Sequence, residues 1–439
     1  MKLEIISYVL SLQEQKRNIS LMKAVLISLG TRGDIEPFLV IAQLLTTRKW
    51  DVICVFPEQF RETVKEMGIS FIGFGKEFLE LMDREDAKKF MGGQGSIFKR
   101  LRTFIRMARA GMKLSNEIIT LQHSIQIQEK PDKVIYHPKC NYALVWGIEN
   151  PGKSLMVSPI PFMTHPIDHM TPLGGNYGKL LNRLSFWLVN TIKALVLKII
   201  ARKYHKDYSG TMITVSSLRK AMLEKEKSYY TISPSLFPRP SYWPAQAKVV
   251  GHYERDKTAG WMPSDDLIKF LEKHKKIVFI TFGSMSNSNP REKTRIIVNV
   301  LKRNNVSAII NTSWGGLEEI DERPENIYYV NNIPYTWIFP KIYAVIHHGG
   351  SGTTHSALKC ACPSLIVPHV LDQFYWSKTI SDLNLGPKGL SIKNLVEKKF
   401  EYKLLDLMNN PSYKKNATII SEQMRGESDF DKLYDMIIN

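Results

Sequence analysis

The sequence predicts an α/β protein made of two successive doubly wound domains with parallel sheets. Two observations support this prediction. From residue 22 onward, short β-branched runs alternate with longer amphipathic stretches, which is typical of βαβ units. Five prolines between residues 232 and 263 interrupt the alternation, and a second series of the same kind then begins. At 439 residues the chain is long enough for such a pair of domains.

The first series predicts a βαβαβ unit that continues into further strands. Strands are predicted over residues 24–28, 51–56, 70–74, 133–136, 154–157, 212–215 and 247–251, and helices over 38–48 and 58–67. The second series predicts strands over 276–282, 307–311, 327–330, 344–347 and 364–368. Sheets of this kind bind ligands at the carboxyl ends of their strands, so we expect a site between two facing domains.

These elements divide the chain into five regions. They are an N-terminal extension (1–21), a first domain (22–231), a linker (232–262), a second domain (263–411) and a C-terminal helical tail (412–439) expected to pack back towards the first domain. The apolar run at 5–10 is too short to span a membrane and has no small-residue cleavage site after it, so no secretion signal is predicted.

The charge balance restricts the kind of partner. With 60 basic and 42 acidic residues the net charge is +18, which favours a membrane surface, a nucleotide ligand or nucleic acid. No recognised nucleic-acid-binding module accompanies that charge, so nucleic acid is the weakest of the three. The four cysteines include no C-x-x-C pair, and a reducing cytoplasm is the simplest interpretation.

A glycine-rich turn over residues 347–354 follows a predicted strand and leads into a helix-like segment. This arrangement brings several backbone N–H groups and the positive end of a helix to one point, which suits a diphosphate. The residues that can approach an anion closely or donate to it are His348, Gly350, Ser351, Gly352 and Thr353. The turn therefore predicts a site for a phosphorylated ligand.

The loop after the opening strand carries an acidic residue, Asp34, near the expected start of a helix. Gly30 and Gly33 permit a tight turn, but their spacing does not match the dinucleotide fingerprint G-x-G-x-x-G. Two interpretations of Asp34 follow. It caps the helix, which the residue pattern alone favours, or it serves as a general base at the cleft.

Two further loops of the second domain carry polar residues at strand ends. Gly283 and Ser284 follow its first predicted strand, and Asp372 and Gln373 follow its last. A neighbouring carboxylate and amide suit the hydroxyls of a sugar. The alternative interpretation is a helix N-terminus whose side chains satisfy its own amides.

Four segments, in order along the chain, resemble one enzyme family. They are Gly30-Thr31-Arg32-Gly33-Asp34, Trp337-Ile338-Phe339-Pro340, the turn His347 to Thr354, and Pro368-His369-Val370-Leu371-Asp372-Gln373. Together they resemble the UDP-dependent glycosyltransferases of the sterol 3-β-glucosyltransferase and glycopeptide-antibiotic glycosyltransferase group. The resemblance covers nearly the whole chain from Met22. It implies the GT-B fold, in which two Rossmann-like domains face each other, the first binding the acceptor and the second the nucleotide sugar.

The resemblance also implies roles for individual residues. The diphosphate would be bound by His348, Gly350, Ser351, Gly352 and Thr353, with Gly283 and Ser284 on a neighbouring loop. Asp372 and Gln373 would bind the transferred sugar. Asn332-Ile333-Pro334 resembles the stretch at the base of the nucleotide, but it lacks the stacking tryptophan of plant relatives. UDP is the favoured donor nucleotide, and TDP stays open.

The reaction of this family is transfer with inversion at the anomeric carbon, and the resemblance implies that Asp34 is the base. It also implies a hexose such as glucose as the transferred group and a hydroxyl of a sterol, lipid or other hydrophobic molecule as the acceptor. Plant relatives use a histidine in the Asp34 loop, and this chain has none between residues 1 and 122. The resemblance implies neither a metal nor a cofactor beyond the nucleotide-sugar co-substrate. A nucleotide-sugar epimerase or hydrolase of the same fold is the alternative.

The acceptor side is less clearly marked. Residues 98–107 and 180–189 interleave basic and apolar side chains, so they fit an anionic membrane surface or, as the favoured interpretation, core-packing helices with solvated basic faces. The expected location is accordingly cytoplasmic, with peripheral membrane association as a hypothesis. His165, Asp168 and His169 lie in a proline-containing loop and are expected at the surface or the acceptor pocket rather than at a metal.

Overall fold

The computed structural model describes residues 21–74, 117–172, 175–204, 213–285, 287, 289–312 and 315–439. Within these residues the chain forms two fully parallel sheets, one of seven strands and one of five. The predicted doubly wound α/β fold is thereby confirmed. The stretch 98–107 and most of the N-terminal extension lie outside the described residues.

The first sheet has the strand order β3-β2-β1-β4-β5-β6-β7. Its strands are β1 (Lys23–Ile27), β2 (Asp51–Pro57), β3 (Ser70–Phe74), β4 (Lys133–Tyr136), β5 (Ser154–Ser158), β6 (Ser228–Tyr230) and β7 (Ala247–Val249). Strands β1, β4 and β5 are almost wholly buried, as expected for central strands of a parallel sheet covered by helices on both faces. The short strand predicted inside the linker, β7, pairs with β6 as the last strand of this sheet.

The second sheet has the order β10-β9-β8-β11-β12. Its strands are β8 (Val278–Thr281), β9 (Ala308–Asn311), β10 (Ile327–Val330), β11 (Ala344–His347) and β12 (Ser364–Ile366). All five lie within the five segments that the sequence predicts as strands. The two central strands, β8 and β11, are buried along their whole length.

Helices cover the faces of both sheets. Within the described residues they include α1 (Arg32–Thr47), α2 (Arg61–Glu66), α3 (Tyr142–Glu149), α4 (Lys179–Tyr204), α5 (Val215–Lys220), α6 (Asp265–Lys273), α7 (Pro290–Arg303), α8 (Tyr335–Ile338), α9 (Ser351–Lys359), α10 (Leu371–Asp382), α11 (Glu397–Asn409), α12 (Pro411–Arg425) and α13 (Phe430–Ile438). Residues 117–129 are also helical.

The structure differs from the sequence predictions at three places. The strand predicted over 212–215 is wrong, because Val215 begins helix α5, and Thr214 caps that helix by accepting a hydrogen bond from Ser217 N at 3.0 Å. Strand β6 has only three residues and precedes the proline-rich stretch, so no alternation was long enough to predict it. Helix α1 begins six residues before the predicted start, at Arg32.

The chain returns to the first sheet at its C-terminus. Leu433 and Ile437 of α13 are buried in the hydrophobic cluster that contains Ala24 and Leu26 of β1. Tyr229 Oη donates to the carbonyl of Met436 at 2.7 Å. The last helix therefore ties the end of the chain to the N-terminal sheet.

Each sheet reverses its strand order at one place, where ligand crevices of open α/β sheets form. In the first sheet this place lies between β1 and β4, and in the second it lies between β8 and β11. The segments that follow these four strands carry Asp34, in the first turn of α1, and His137, Gly283 and His348. The topology thus brings the predicted loops to the two crevices where a site is expected.

Candidate active site

The glycine-rich turn has the predicted geometry of an anion site. Gly350 caps helix α9, so the N–H groups of Ser351, Gly352 and Thr353 have no partner within the helix. Thr354 N and Oγ1 both bond back to the carbonyl of Gly350, at 3.0 and 2.9 Å, and fix the first turn. A Cβ added at Gly352 would meet nothing within 4 Å, so the space over the helix start is open.

The imidazole of His348 lies between two glycines. Cβ atoms added at Gly283 and Gly350 would come within 2.5 and 2.4 Å of its ring atoms, so both positions require glycine for the histidine to fit. Burial holds the pKa of His348 well below its ordinary value, and the ring is therefore neutral near pH 7. Its Nδ1 is buried with no hydrogen-bond partner among the described residues. A neutral imidazole with one unused nitrogen fits a hydrogen bond to a bound anion.

Asp34 is almost fully buried, with 6% of its surface exposed, and both of its carboxylate oxygens are engaged. Oδ2 accepts a hydrogen bond from the backbone N of Thr31 at 2.9 Å, which confirms the cap interpretation. Oδ1 lies 3.0 Å from Lys139 Nζ and 3.2 Å from His137 Nε2. Burial acts to raise the pKa of Asp34, but the Lys139 charge and the His137 contact outweigh it and hold the pKa below its usual range.

His137 was missed by the sequence reasoning, although it directly follows strand β4. Its side chain is 0% exposed, and its Nδ1 accepts a hydrogen bond from Lys139 N at 3.2 Å. That bond assigns the proton of the neutral ring to Nε2, the nitrogen that faces Asp34. His137 therefore acts on Asp34 and has no direct access to the cleft.

Asp372 and Gln373 lie in the first turn of α10. Gln373 Oε1 accepts from the backbone N of His369 at 2.7 Å and of Val370 at 3.1 Å, so this amide oxygen caps its own helix as the alternative interpretation expected. Its amide nitrogen takes no part in that cap. Burial raises the pKa of Asp372 to about 7, and the negative charge of Asp34 adds to the shift. The two aspartates of the two domains are thus close enough to interact.

A tyrosine beside the donor turn was also missed by the sequence reasoning. The hydroxyl of Tyr335 lies 3.1 Å from Thr281 Oγ1, at the end of β8, and Asn311 and Thr353 are also hydrogen-bonding neighbours of it. The stretch predicted at the base of the nucleotide, Asn332-Ile333-Pro334, precedes this tyrosine. Asn332 has a left-handed backbone (φ 68°) and is exposed, while Ile333 packs into the core. Ser284 is partly exposed next to Gly283.

His165 and Asp168, from the loop after β5, have structural partners. His165 is buried and contacts Tyr230 Oη at 2.7 Å and the Leu223 carbonyl at 3.1 Å. Asp168 forms ion pairs with Lys179 and Arg183 of helix α4. Within the described residues no group of three or more His, Cys, Asp or Glu side chains is arranged to hold a metal ion.

The arrangement of the two sheets is that of known glycosyltransferases. The glycosyltransferase of kitacinnamycin superposes with a TM-score of 0.69 at 14% identity, covering 95% of this chain and 98% of that one. The calicheamicin glycosyltransferase CalG4 gives 0.67 at 14% identity, covering 95% and 97%. The spinosyn rhamnosyltransferase SpnG in complex with thymidine diphosphate gives 0.60 at 13% identity, covering 95% and 100%. These likenesses establish the GT-B fold.

Two family models also match the chain. The glycosyltransferase family 28 N-terminal domain matches residues 24–129, and the C-terminal domain of the erythromycin biosynthesis protein CIII-like family matches residues 297–431. One match lies in the N-terminal half of the chain and the other in the C-terminal half. This confirms the resemblance that the sequence motifs carry.

The chain is also similar to plant and fungal sterol 3-beta-glucosyltransferases. UGT80B1 of Arabidopsis thaliana is 28% identical over 398 residues, which cover 89% of this chain and 63% of that protein. The enzyme of Komagataella phaffii is 26% identical over 442 residues, which cover 92% of this chain and 33% of that protein. The chain thus spans less than two thirds of the length of these relatives.

Proposed function

We propose that this protein is an inverting glycosyltransferase that moves a hexose, glucose in the first instance, from a nucleoside diphosphate sugar to a hydroxyl of a sterol, lipid or other hydrophobic acceptor. The observation that carries the proposal is the proximity of Asp34 to Asp372. The carboxylate of Asp34, at the crevice of the first sheet, interacts electrostatically with Asp372, which lies in the first turn of α10 among groups suited to a sugar. The names of the relatives support the sterol-like acceptor and the glucose.

The donor would lie across the second sheet's crevice. The diphosphate would be bound by the free N–H groups at the start of α9 and by His348, with Gly283 and Ser284 beside them. Asp372 and the amide nitrogen of Gln373 would bind the sugar hydroxyls. UDP is the proposed nucleotide, with its base near Asn332, Ile333 and Pro334.

The proposed reaction is a single displacement. The acceptor oxygen forms a bond to the anomeric carbon, while the bond from that carbon to the diphosphate oxygen breaks and its electron pair leaves with the diphosphate. The hydroxyl proton passes to Asp34. Because Lys139 and His137 hold the pKa of Asp34 low, the carboxylate is a weak base, and the proton moves late, in concert with attack. The start of α9 and His348 stabilise the departing charge without a metal.

Incubation with UDP-glucose and a panel of sterols and other hydrophobic alcohols tests the proposal. We expect UDP release that depends on the acceptor, a product heavier by one hexose, and no loss of rate in a chelator. UDP release at the same rate without any acceptor would instead identify a hydrolase. A change of the sugar with no transfer would identify an epimerase.

An Asp34→Asn variant tests the base. We expect the transfer rate to fall on the order of 10²- to 10⁴-fold while UDP binding is retained. Asp266→Asn is the matched control, since Asp266 is an exposed aspartate in the first turn of α6. Transfer by Asp34→Asn at the wild-type rate would overturn the assignment of the base.

A further inference from the structure

Helix α4 exposes one apolar face along its whole length. Within the described residues, one helix, Lys179–Lys203, is long and apolar enough to cross a membrane by length and composition, with a mean hydropathy of 1.7 and 33% of that window buried. The large apolar side chains exposed on it, here called the α4 face, are Leu180, Leu181, Leu184, Trp187, Leu188, Ile192, Leu195, Val196 and Ile199. The interpretation of residues 180–189 as a core-packing helix is confirmed for the side that carries Phe186, but the solvated side is largely apolar rather than basic.

The opposite side of α4 holds the helix against the first domain. Phe186, Ala194 and Leu197 are buried at helical spacing. Two asparagines on this side, Asn182 and Asn190, donate to the carbonyls of Asp168 and Thr164 at 2.8 and 2.9 Å. Pulling the helix away would break these buried hydrogen bonds, so α4 is fixed in place with its apolar face outward.

The charge of α4 indicates what covers this face. Residues 179–204 contain six lysines and arginines and no acidic residue. At the C-terminal end Arg202 and Lys203 are exposed, with Lys198 partly exposed beside them. Trp187, 49% exposed, lies on the apolar face. Lys179 and Arg183, at the other end, pair with Asp168, so the basic end is the C-terminal one. An apolar stripe with an aromatic residue and a basic end is the composition of helices that lie in the interface of an anionic bilayer.

The α4 face is also close to the proposed acceptor side of the cleft. Lys193 Nζ donates to the carbonyl of Met163 at 2.7 Å, in the loop that follows strand β5. In the same loop Phe162 lies against Tyr375 of α10, with ring centroids 5.8 Å apart. Tyr375 is two residues from Gln373. The body of α4 and the loop after β5 therefore separate the α4 face from the first turn of α10, where Asp372 and Gln373 lie.

We propose that the α4 face docks on an anionic lipid bilayer, with the helix lying in the plane of the membrane surface. The inference rests on the proposed function in one respect, since docking there would present the cleft to a hydroxyl acceptor held in the membrane. The bonds of Asn182 and Asn190 make α4 a surface helix that does not span the bilayer. A second copy of the chain is the competing occupant.

The test uses the full chain and a Leu184→Glu/Leu188→Glu variant. Co-sedimentation is measured with vesicles of phosphatidylcholine alone and of phosphatidylcholine mixed with phosphatidylserine. We expect the native chain to prefer the anionic vesicles and the variant to bind them at least about tenfold more weakly. Met262→Glu, which changes a side chain that is 87% exposed outside α4, is the matched control and should bind like the native chain. Both side chains replaced in the variant are exposed, so its melting temperature should not fall.

A second measurement separates this inference from the proposed function. The variant should transfer sugar to an acceptor carried by cyclodextrin at the native rate, and lose transfer to the same acceptor embedded in anionic vesicles. Absence of all transfer would refute the proposed function while leaving the binding result valid. Equal vesicle binding by the variant and the native chain would overturn the inference. So would a native dimer that the variant dissociates without any change in vesicle binding.

Discussion

His137 Nε2 lies 3.2 Å from Asp34 Oδ1, where strands β4 and β1 end side by side. The backbone N–H of Lys139 donates a hydrogen bond to Nδ1, the other ring nitrogen of His137, so the imidazole carries its proton on Nε2, towards the carboxylate. Thr31 binds the second oxygen of Asp34. The base proposed for the reaction is therefore held in one orientation by contacts at both of its carboxylate oxygens.

A His137→Gln variant tests this positioning role. We expect kcat to fall roughly tenfold to a hundredfold with little change in KM, because Asp34 stays present but loses one orienting group. The Asp34→Asn/His137→Gln double variant should lose little more than Asp34→Asn alone, since both changes act through the same carboxylate. Additive losses in steady-state rates would show that His137 acts independently of Asp34.

A Lys139→Met variant tests the electrostatics of the same carboxylate. Without the Lys139 charge, burial is less opposed and the pKa of Asp34 rises. Asp34 then becomes protonated at a higher pH, so the acid limb of kcat/KM should move upward in pH. The native enzyme, in which Asp34 stays ionised, should keep its activity further into the acid range. An unchanged acid limb in the pH profile would contradict this account.

Asp372 should destabilise the ligand-free protein at neutral and alkaline pH. Its folded pKa of about 7 lies above the ordinary value of 3.8, so the folded state favours the protonated form. The penalty is absent below pH 3.8, grows as the pH rises, and is complete above about 7. It is worth at most about 4 kcal/mol, at ~1.4 kcal/mol per pKa unit. Asp372→Asn should therefore raise the free energy of unfolding at pH 8 and have little effect near pH 4.

Glu226 offers the same test away from the active site. Burial raises its pKa to about 7, and its Oε2 accepts from Ser154 Oγ at 3.0 Å, at the opposite end of β5 from the cleft. Glu226→Gln should be more stable than the native protein at pH 8, and the gain should vanish below the ordinary glutamate value of 4.5. Transfer activity should not change. Denaturant unfolding at the two pH values, with rates measured in parallel, checks both expectations.

The loops of the site could be predicted from sequence because each is a local feature. A buried strand, a glycine turn and a helix start are contiguous at His348, and a carboxylate follows the turn at Asp34. The partnership of His137 with Asp34 could not be predicted in this way, because it depends on β4 lying beside β1 in the sheet. The position of His137 directly after strand β4 was the one sequence feature that could have pointed to it.

The helix at 179–204 shows a second limit of sequence reasoning. Its apolar residues occupy two opposite faces, and a helix that is hydrophobic on both sides fits a buried position equally well. Only the tertiary structure shows that one face packs on the first domain while the other stays exposed.

Gln373 is a third case. Its side-chain amide fits either a sugar hydroxyl or a helix cap on sequence grounds, and the structure uses the amide oxygen for the cap.

The glycines of the turn allow protein stability to be separated from donor binding. Gly350 has φ of −62°, so alanine there meets no backbone strain, but its Cβ would lie 2.4 Å from His348 Nε2 and displace the ring. Gly350→Ala should therefore lower both the melting temperature and the affinity for UDP.

Gly352→Ala should behave differently. The added Cβ meets no protein atom within 4 Å, and alanine favours a helix, so the melting temperature should hold or rise. Calorimetry with UDP should nevertheless show at least about tenfold weaker binding, because the methyl group enters the space assigned to the diphosphate. Native affinity in Gly352→Ala would place the diphosphate elsewhere.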